Sequence, residues 1–339
     1  MNLFFFSLYS IFCFVTIPRS KKIIFLLFMS FGLIYFSGFR YETGIDYFNY
    51  LRLYDANYFA STEYLYWLMS IFHKYLFDSF SLFVFMVAVV TISIKIYVLN
   101  KLSANIFISM YIFICISYIY VDLGLIRNSI SLAFFMLCFF MYVKKQSVIA
   151  VCFFIVALLF HHSVIFMLYI FFISNDDNAK VSRKYLYFLF LFICLSYLGI
   201  MKEFVASMGA IPGLEYISWK LAFYLDNDAY QNTNLNIYNL RYVIVSLFIF
   251  NFRKRIQCGS LIKIYFIGTY LLLLFGFNIQ LYARVGLYLA FFEMLLIASI
   301  SLFYKGKNRL LFIVFISVFY GISFLRTSYI MEINLIRFL

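Results

Sequence analysis

The chain has 339 residues, of which 66% are apolar and only 12% are charged, and its formal net charge is +13. Soluble domains are roughly 45–50% apolar and about 25% charged, so this composition excludes a soluble enzyme and predicts a membrane protein. The 27 Lys and Arg residues stand in short groups between apolar runs, which excludes the single basic face of a nucleic-acid-binding protein.

The first apolar run, residues 2–17, predicts a retained membrane helix. A secretory signal carries basic residues before its apolar core, whereas Arg19, Lys21 and Lys22 follow this run. Further apolar runs lie at about 23–38, 79–99, 104–121, 125–143, 147–173, 185–200, 239–252, 261–280, 283–303 and 310–325.

The run 147–173 is long for one membrane helix and short for two. Cytoplasmic loops of membrane proteins are enriched in Lys and Arg. If the basic group 19–22 is cytoplasmic, a break at His161–His162, into two helices or a re-entrant hairpin, keeps the later basic groups 252–255 and 305–309 on the same side. The sequence therefore predicts that break.

These segments predict an all-α, polytopic membrane helix bundle of about twelve segments with both termini outside. We expect one polytopic domain over residues 1–339, with outward loops at about 39–78 and 201–238. The same orientation places Lys95 and Lys101 on the cytoplasmic side.

The first outward loop begins with G-F-R-Y-E-T-G-I-D-Y-F-N-Y at residues 38–50. Gly44 predicts a tight turn that directs Arg40 and Asp46 into one outer cavity. Aromatic and apolar residues at helical spacing predict a short amphipathic helix after Asp46 and a second one within 61–77. Asp46 and Glu63 then fit helix N-caps as well as they fit a functional role.

Four ionisable residues stand within or beside apolar runs, at Arg127, His161, Arg284 and Glu293. Such groups are costly in a membrane and usually face a cavity or a partner. One interpretation is internal pairing, for instance of Glu293 with Arg127 or Arg284. The other is an anion site that includes Arg40, because guanidinium binds phosphate bidentately. Apolar surroundings then favour a phosphate that carries a lipid tail.

Four motifs follow one another along the chain: G-F-R-Y-x-x-G-x-D-Y-x-x-Y at 38–50 with Glu63 downstream, L-x-x-x-R-N at 123–128, F-H-x-S at 160–163 and Y-A-R-x-x-x-Y at 282–288. In this order they resemble the EpsG-like branch of Wzy-type polysaccharide polymerases, which join lipid-linked oligosaccharide repeats on the outer face of the bacterial inner membrane. The resemblance implies a GT-C-like membrane glycosyltransferase with its active site facing the periplasm. Asn128 stands where that family usually has glutamine.

The resemblance also implies roles for six residues: Asp46 and His161 as catalytic residues, and Arg40, Glu63, Arg127 and Arg284 as residues that bind the substrate and its pyrophosphate. We expect no cofactor and no metal. The expected partners are polyprenyl-pyrophosphate-linked oligosaccharides, membrane lipid and a chain-length regulator protein, with no nucleic acid.

We therefore expect an O-antigen polymerase or a polymerase of a related surface polysaccharide. An O-antigen ligase, a non-enzymatic flippase or exporter, and a membrane acyltransferase are the alternatives. A transporter should line a path with charge across the full membrane depth, and the predicted placement of the buried charges in the outer half favours an enzyme. The sequence does not choose between Asp46 and His161 as the base.

Overall fold

A computed structural model of the chain describes residues 22–40, 42, 44, 46–56, 63–174, 181–198, 237–275 and 279–330. All regular elements in these ranges are helices. They are α1 (Lys22–Gly38), α2 (Tyr47–Ala56), α3 (Tyr64–Phe77), α4 (Phe80–Leu102), α5 (Ile106–Phe113), a π-helix (Ile114–Asp122), α6 (Ile126–Val143), α7 (Ser147–Phe160), a 3-10 helix (His162–Phe172), α8 (Lys184–Tyr197), α9 (Ile237–Phe252), α10 (Gly259–Leu274), α11 (Ile279–Ile300), a 3-10 turn (Ser301–Phe303) and α12 (Gly306–Ile330).

The described residues form two compact units. The first unit consists of the described residues within Met1–Ile165 and Ile297–Leu339, and the second of those within Phe166–Leu296. In the first unit α6 packs against α7 and α4, while α1 packs against α4. In the second unit α10 packs against α8 and α9. The single polytopic domain expected over the whole chain stays a prediction.

Four of the described helical stretches are long and apolar enough to cross a membrane: Phe80–Leu102, Ile126–Val143, Ala283–Phe303 and Gly306–Ser328. Large apolar side chains, including Leu310, Leu311, Val314 and Val318, are exposed along α12. Soluble proteins rarely expose so continuous an apolar surface. The chain is therefore a helical membrane protein, whereas the count of about twelve segments, the GT-C-like arrangement and the orientation stay predictions. The run 2–17 lies outside the described residues.

The predicted break in the run 147–173 is confirmed. Helix α7 ends at Phe160, His161 has extended backbone angles (φ −161°, ψ 124°), and the 3-10 helix begins at His162. With 14 residues, α7 is about 21 Å long, which falls short of the roughly 30 Å hydrocarbon core.

Both predicted amphipathic helices of the first loop are present as α2 and α3. Helix α2 buries three tyrosines on one face, and they join an aromatic core with residues of α3, α4, α6 and α7: Tyr47, Tyr50, Tyr54, Tyr66, Phe80, Phe83, Ile126 and Phe160. This core fixes the loop against the longer helices. The second expected loop, at about 201–238, lies almost entirely outside the described residues.

Lys95 lies within a helix, and the expected cytoplasmic side of Lys95 and Lys101 stays a prediction. Helix α4 continues to Leu102, so Lys95 lies inside it, and its side chain is fully buried. Its ammonium group pairs with the carboxylate of Asp122 at 2.6 Å. Because the positive-inside rule concerns loop residues, Lys95 gives no information on orientation, whereas Lys101 is exposed in the last turn of α4.

The tight turn predicted at Gly44 is confirmed by its backbone angle, φ +101°. A Cβ atom at this position would lie 2.3 Å from the carbonyl oxygen of Leu123 and 3.3 Å from Cα of Gly124. Glycine is therefore required for its positive φ and for its close approach to the backbone that precedes α6.

We predict that Gly44→Ala lowers stability by more than the roughly 1–3 kcal/mol of backbone strain alone. Gly306→Ala is the matched control, since Gly306 also has a positive φ (+53°) but no atom lies within 4 Å of its added Cβ. Thermal unfolding midpoints in detergent should fall further for Gly44→Ala than for Gly306→Ala. Equal shifts would contradict the proposed contact with Leu123.

Candidate functional site

Glu63 occupies the N-cap position of α3, with extended backbone angles, but its side chain makes no capping hydrogen bond. The residue is only 7% exposed. Its carboxylate is directed toward α6 and the end of α7, where it meets Arg127 and His161. The interpretation of Glu63 as a helix-capping side chain is therefore wrong.

Glu63, Arg127 and His161 form one group, named here the Glu63 cluster. Oε2 of Glu63 accepts a hydrogen bond from Nη1 of Arg127, and Oε1 contacts Nδ1 of His161 at 2.6 Å. His162 is more distant, with Nδ1 at 3.8 Å from Oε1, and its side chain is 70% exposed. The cluster thus joins the start of α3, the first turn of α6 and the residue that ends α7.

The Glu63 carboxylate is held in its charged form. Burial alone would raise its pKa, but the hydrogen bond with His161 and the positive charge of Arg127 outweigh burial and lower the pKa to about 2. A group with so low a pKa takes up almost no protons near neutral pH. Glu63 is therefore suited to holding its two partners in place and poorly suited to accepting a proton.

His161 is oriented by this carboxylate. With its proton on Nδ1, the ring donates to Glu63 and presents Nε2 as an acceptor. A carboxylate that fixes the tautomer of a histidine in this way is the arrangement that prepares an imidazole for general-base catalysis. The extended backbone at the end of α7 brings the ring to Glu63.

Arg127 lies beside two tyrosine rings. Its guanidinium carbon is 5.5 Å from the ring centroid of Tyr50 and 5.9 Å from that of Tyr66. The side chain is 22% exposed, and Nε is buried without a hydrogen-bond partner among the described residues. A planar guanidinium fits between aromatic rings and a carboxylate better than an ammonium group does.

Tyr50 interacts electrostatically with both Asp46 and Arg40. Burial raises the pKa of Tyr50, the charge of Arg127 opposes this shift, and the carboxylate of Asp46 adds to it. Asp46 itself is half-buried, and Oδ1 accepts a hydrogen bond from the side-chain amide of Asn49 at 3.5 Å. Burial lowers the pKa of Arg40, and Tyr50 leads the interactions that oppose this shift.

Arg40 is 5% exposed and donates from Nη1 to the carbonyl oxygen of Asp122 at 2.9 Å. A small cavity of about 10 Å³ lies beside it, lined by polar residues that include Ser37, Asp122 and Ser129. Asp46 does not line this cavity. The expectation that Arg40 and Asp46 share one outer cavity therefore stays a prediction.

Arg284 lies in α11, in the second unit, and is half-buried. In the same unit the fully buried Glu293 accepts hydrogen bonds from Arg241 at 3.4 Å and from the hydroxyl of Tyr265 at 3.2 Å. Arg127 pairs with Glu63 instead of Glu293. The proposed place of Arg284 in the site stays a prediction.

One group of polar residues was missed by the sequence reasoning: the buried ion pair of Lys95 and Asp122, with Ser129 hydrogen-bonded to both. A lysine several residues inside an apolar run was the available signal, because a buried ammonium needs an acidic partner. In the part of the chain that the structure describes, no three His, Cys, Asp or Glu side chains are grouped as metal ligands.

The sequence model of the EpsG family matches residues 23–337 of the chain. No curated protein matches the chain, and no solved structure does. The match covers Glu63, Arg127 and His161, as well as Arg40, Asp46 and Arg284.

We predict that Glu63 makes stability depend on pH in the acid range. Since its folded-state pKa of about 2 lies below the ordinary value of 4.5, its contribution is complete above about pH 4.5 and is lost as pH falls toward 2. The difference in thermal midpoint between wild type and Glu63→Gln should therefore narrow between pH 6 and pH 3. Glu42→Gln, which removes an exposed carboxylate from the same loop, should follow wild type. A constant difference for Glu63→Gln would contradict the role of its charge.

Proposed function

The chain belongs to the EpsG family, and from this premise we propose that it is a membrane glycosyltransferase. Its reaction joins polyprenyl-pyrophosphate-linked oligosaccharide repeats into O-antigen or a related surface polysaccharide. The proposed place is the bacterial inner membrane, with the active site facing the periplasm. The observation that carries the proposal is the Glu63 carboxylate, which brings His161 and Arg127 to one point.

The reaction needs a base and positive charge. A hydroxyl oxygen of the acceptor sugar attacks the anomeric carbon of the donor, the bond from that carbon to the pyrophosphate oxygen breaks, and the lipid pyrophosphate leaves. The hydroxyl proton must pass to a base as the new glycosidic bond forms. Negative charge develops on the leaving pyrophosphate and is stabilised by cations placed in advance.

His161 is the group best prepared to act as the base. Glu63 fixes its Nδ1, so that Nε2 accepts the proton and the carboxylate stabilises the imidazolium that forms. Asp46 is the other candidate, since its half-buried carboxylate acts on the same Tyr50 that faces Arg127. Glu63 serves as a positioning residue in this mechanism.

Arg127 and Arg40 are the proposed cations for the pyrophosphate. A guanidinium carries five N–H donors, and the bond to Glu63 uses only Nη1 of Arg127. Arg40 keeps Nε without a hydrogen-bond partner among the described residues. Arg284 is the third proposed cation, because it belongs to the motif at 282–288 that resembles the family's.

Deletion of the gene tests the function directly, with the lipopolysaccharide displayed on a gel. The proposal predicts a lipid A core that carries a single repeat unit, because repeats are exported and ligated to the core but are not joined to one another. A bare core together with lipid-linked polymer would show that the protein is a ligase. Repeats that accumulate in the cytoplasm would show that it is a flippase.

We predict that His161→Gln fails to restore polymer in the deletion strain, because loss of a general base lowers the rate by about 10²–10⁴-fold. His162→Gln is the matched control, because His162 is the next residue and its side chain is 70% exposed. This variant should restore polymer. Both proteins should reach wild-type levels in the membrane.

Asp46→Asn separates the two candidate bases, since asparagine caps a helix as well as aspartate does. Polymer should persist in this variant if His161 is the base. Normal polymer from His161→Gln, with a single repeat from Asp46→Asn, would transfer the role of base to Asp46.

A further inference from the structure

Lys95, Asp122 and Ser129 form a second buried group, named here the Lys95 cluster, which the proposed reaction does not use. Nζ of Lys95 lies 2.6 Å from Oδ1 of Asp122 and donates to the hydroxyl of Ser129 at 2.9 Å. Ser129 in turn donates to the same carboxylate oxygen at 2.6 Å. The side chains of Lys95 and Asp122 are 0% and 1% exposed.

Stability alone is a weak reason for such a group. Removing two charges from water is costly, and well-packed apolar residues in place of a buried ion pair are often neutral or stabilising. Ionisable residues within membrane helices are therefore unusual, and they mark positions where a specific arrangement is required.

Asp122 is held through both its side chain and its backbone. It is the last residue of the π-helix, and its carbonyl oxygen accepts the hydrogen bond from Nη1 of Arg40 at 2.9 Å. π-Helices are rare and occur frequently at functional sites. The ion pair with Lys95 thus fixes the residue that holds Arg40.

Ser129 connects the same carboxylate to α6. It lies two residues after Arg127 in α6, and the short turn Leu123–Leu125 separates α6 from Asp122. The hydrogen bond between Ser129 and Asp122 therefore fixes the angle at which α6 leaves the π-helix. Gly44 packs against the carbonyl of Leu123 in this turn.

We propose that Lys95, Asp122 and Ser129 are positioning residues that hold Arg40 and Arg127 where they bind the substrate pyrophosphate, an inference that rests on the proposed function. Ser37, Arg40, Asp122 and Ser129 line one small cavity, so these polar side chains meet at one place. Lys95 acts through Asp122 on both arginines, through its carbonyl on Arg40 and through Ser129 on the first turn of α6.

The test uses the purified full-length chain in detergent and two readouts. Farnesyl pyrophosphate is the binding probe, with its dissociation constant measured by calorimetry. Hydrogen exchange of the amides at 122–128 reports the geometry of the turn without any substrate. The variant Lys95→Met/Asp122→Leu replaces the ion pair by apolar side chains, which avoids leaving one buried charge unpaired.

We expect the double variant to unfold at the wild-type temperature, to exchange faster at 122–128 and to bind farnesyl pyrophosphate about tenfold more weakly, by analogy with the loss of a residue that orients a metal ligand. Ser129→Ala, which keeps the ion pair, should weaken binding in the same direction and by less. Lys101→Met removes an exposed charge from the same helix and should match wild type in both readouts.

Wild-type exchange and wild-type affinity in both the double variant and Ser129→Ala would overturn the inference. A wild-type chain that binds no farnesyl pyrophosphate, with faster exchange at 122–128 in the double variant, would contradict the proposed function and leave the positioning of the turn supported. Ser129→Ala keeps the test decisive if the double variant does not fold, because faster exchange and weaker binding in that variant alone support the inference.

Discussion

The candidate site depends on the contacts that the buried carboxylate of Glu63 makes with Arg127 and His161. A buried anion is tolerated only where cations or hydrogen-bond donors meet it, and Arg127 and His161 supply these. To bring them together, the chain must end α7 just before His161, begin α6 just before Arg127 and place α3 so that Glu63 faces both. The tyrosine-rich core around α2 holds these elements together. The low pKa of Glu63 then follows from the same contacts that orient His161.

A second buried carboxylate, that of Asp122, stands at the end of the π-helix, four residues before α6 begins. It is paired with Lys95 and Ser129, and its carbonyl holds Arg40. Each buried acid of the first unit's polar core is therefore tied to a helix terminus: Glu63 to the start of α3 and Asp122 to the end of the π-helix. The arginines proposed to bind pyrophosphate contact these two acids, Arg127 through the Glu63 carboxylate and Arg40 through the Asp122 carbonyl.

Local features of the fold were predictable from the sequence. The helix break at His161, the two amphipathic helices and the positive φ of Gly44 follow from spacing and from glycine chemistry, which act within a few residues. The pairing of Glu63 with residues 64 and 98 positions away does not, because a helix cap satisfies the same local pattern. The pairing of Lys95 with Asp122 was missed for the same reason, since the two residues stand 27 positions apart. The motif residues Glu63, Arg127 and His161 were named from the sequence, but their hydrogen bonds came from the structure.

A double-mutant cycle on Glu63 and Arg127 tests the central claim most directly. The free energy of unfolding in detergent is measured for wild type, Glu63→Gln, Arg127→Met and the double variant. The structure predicts a coupling energy of about 0.5–3 kcal/mol, as found for residues in direct contact within one network. Effects that add within roughly 0.5 kcal/mol would show that the two side chains do not depend on each other, and would contradict the account of the site.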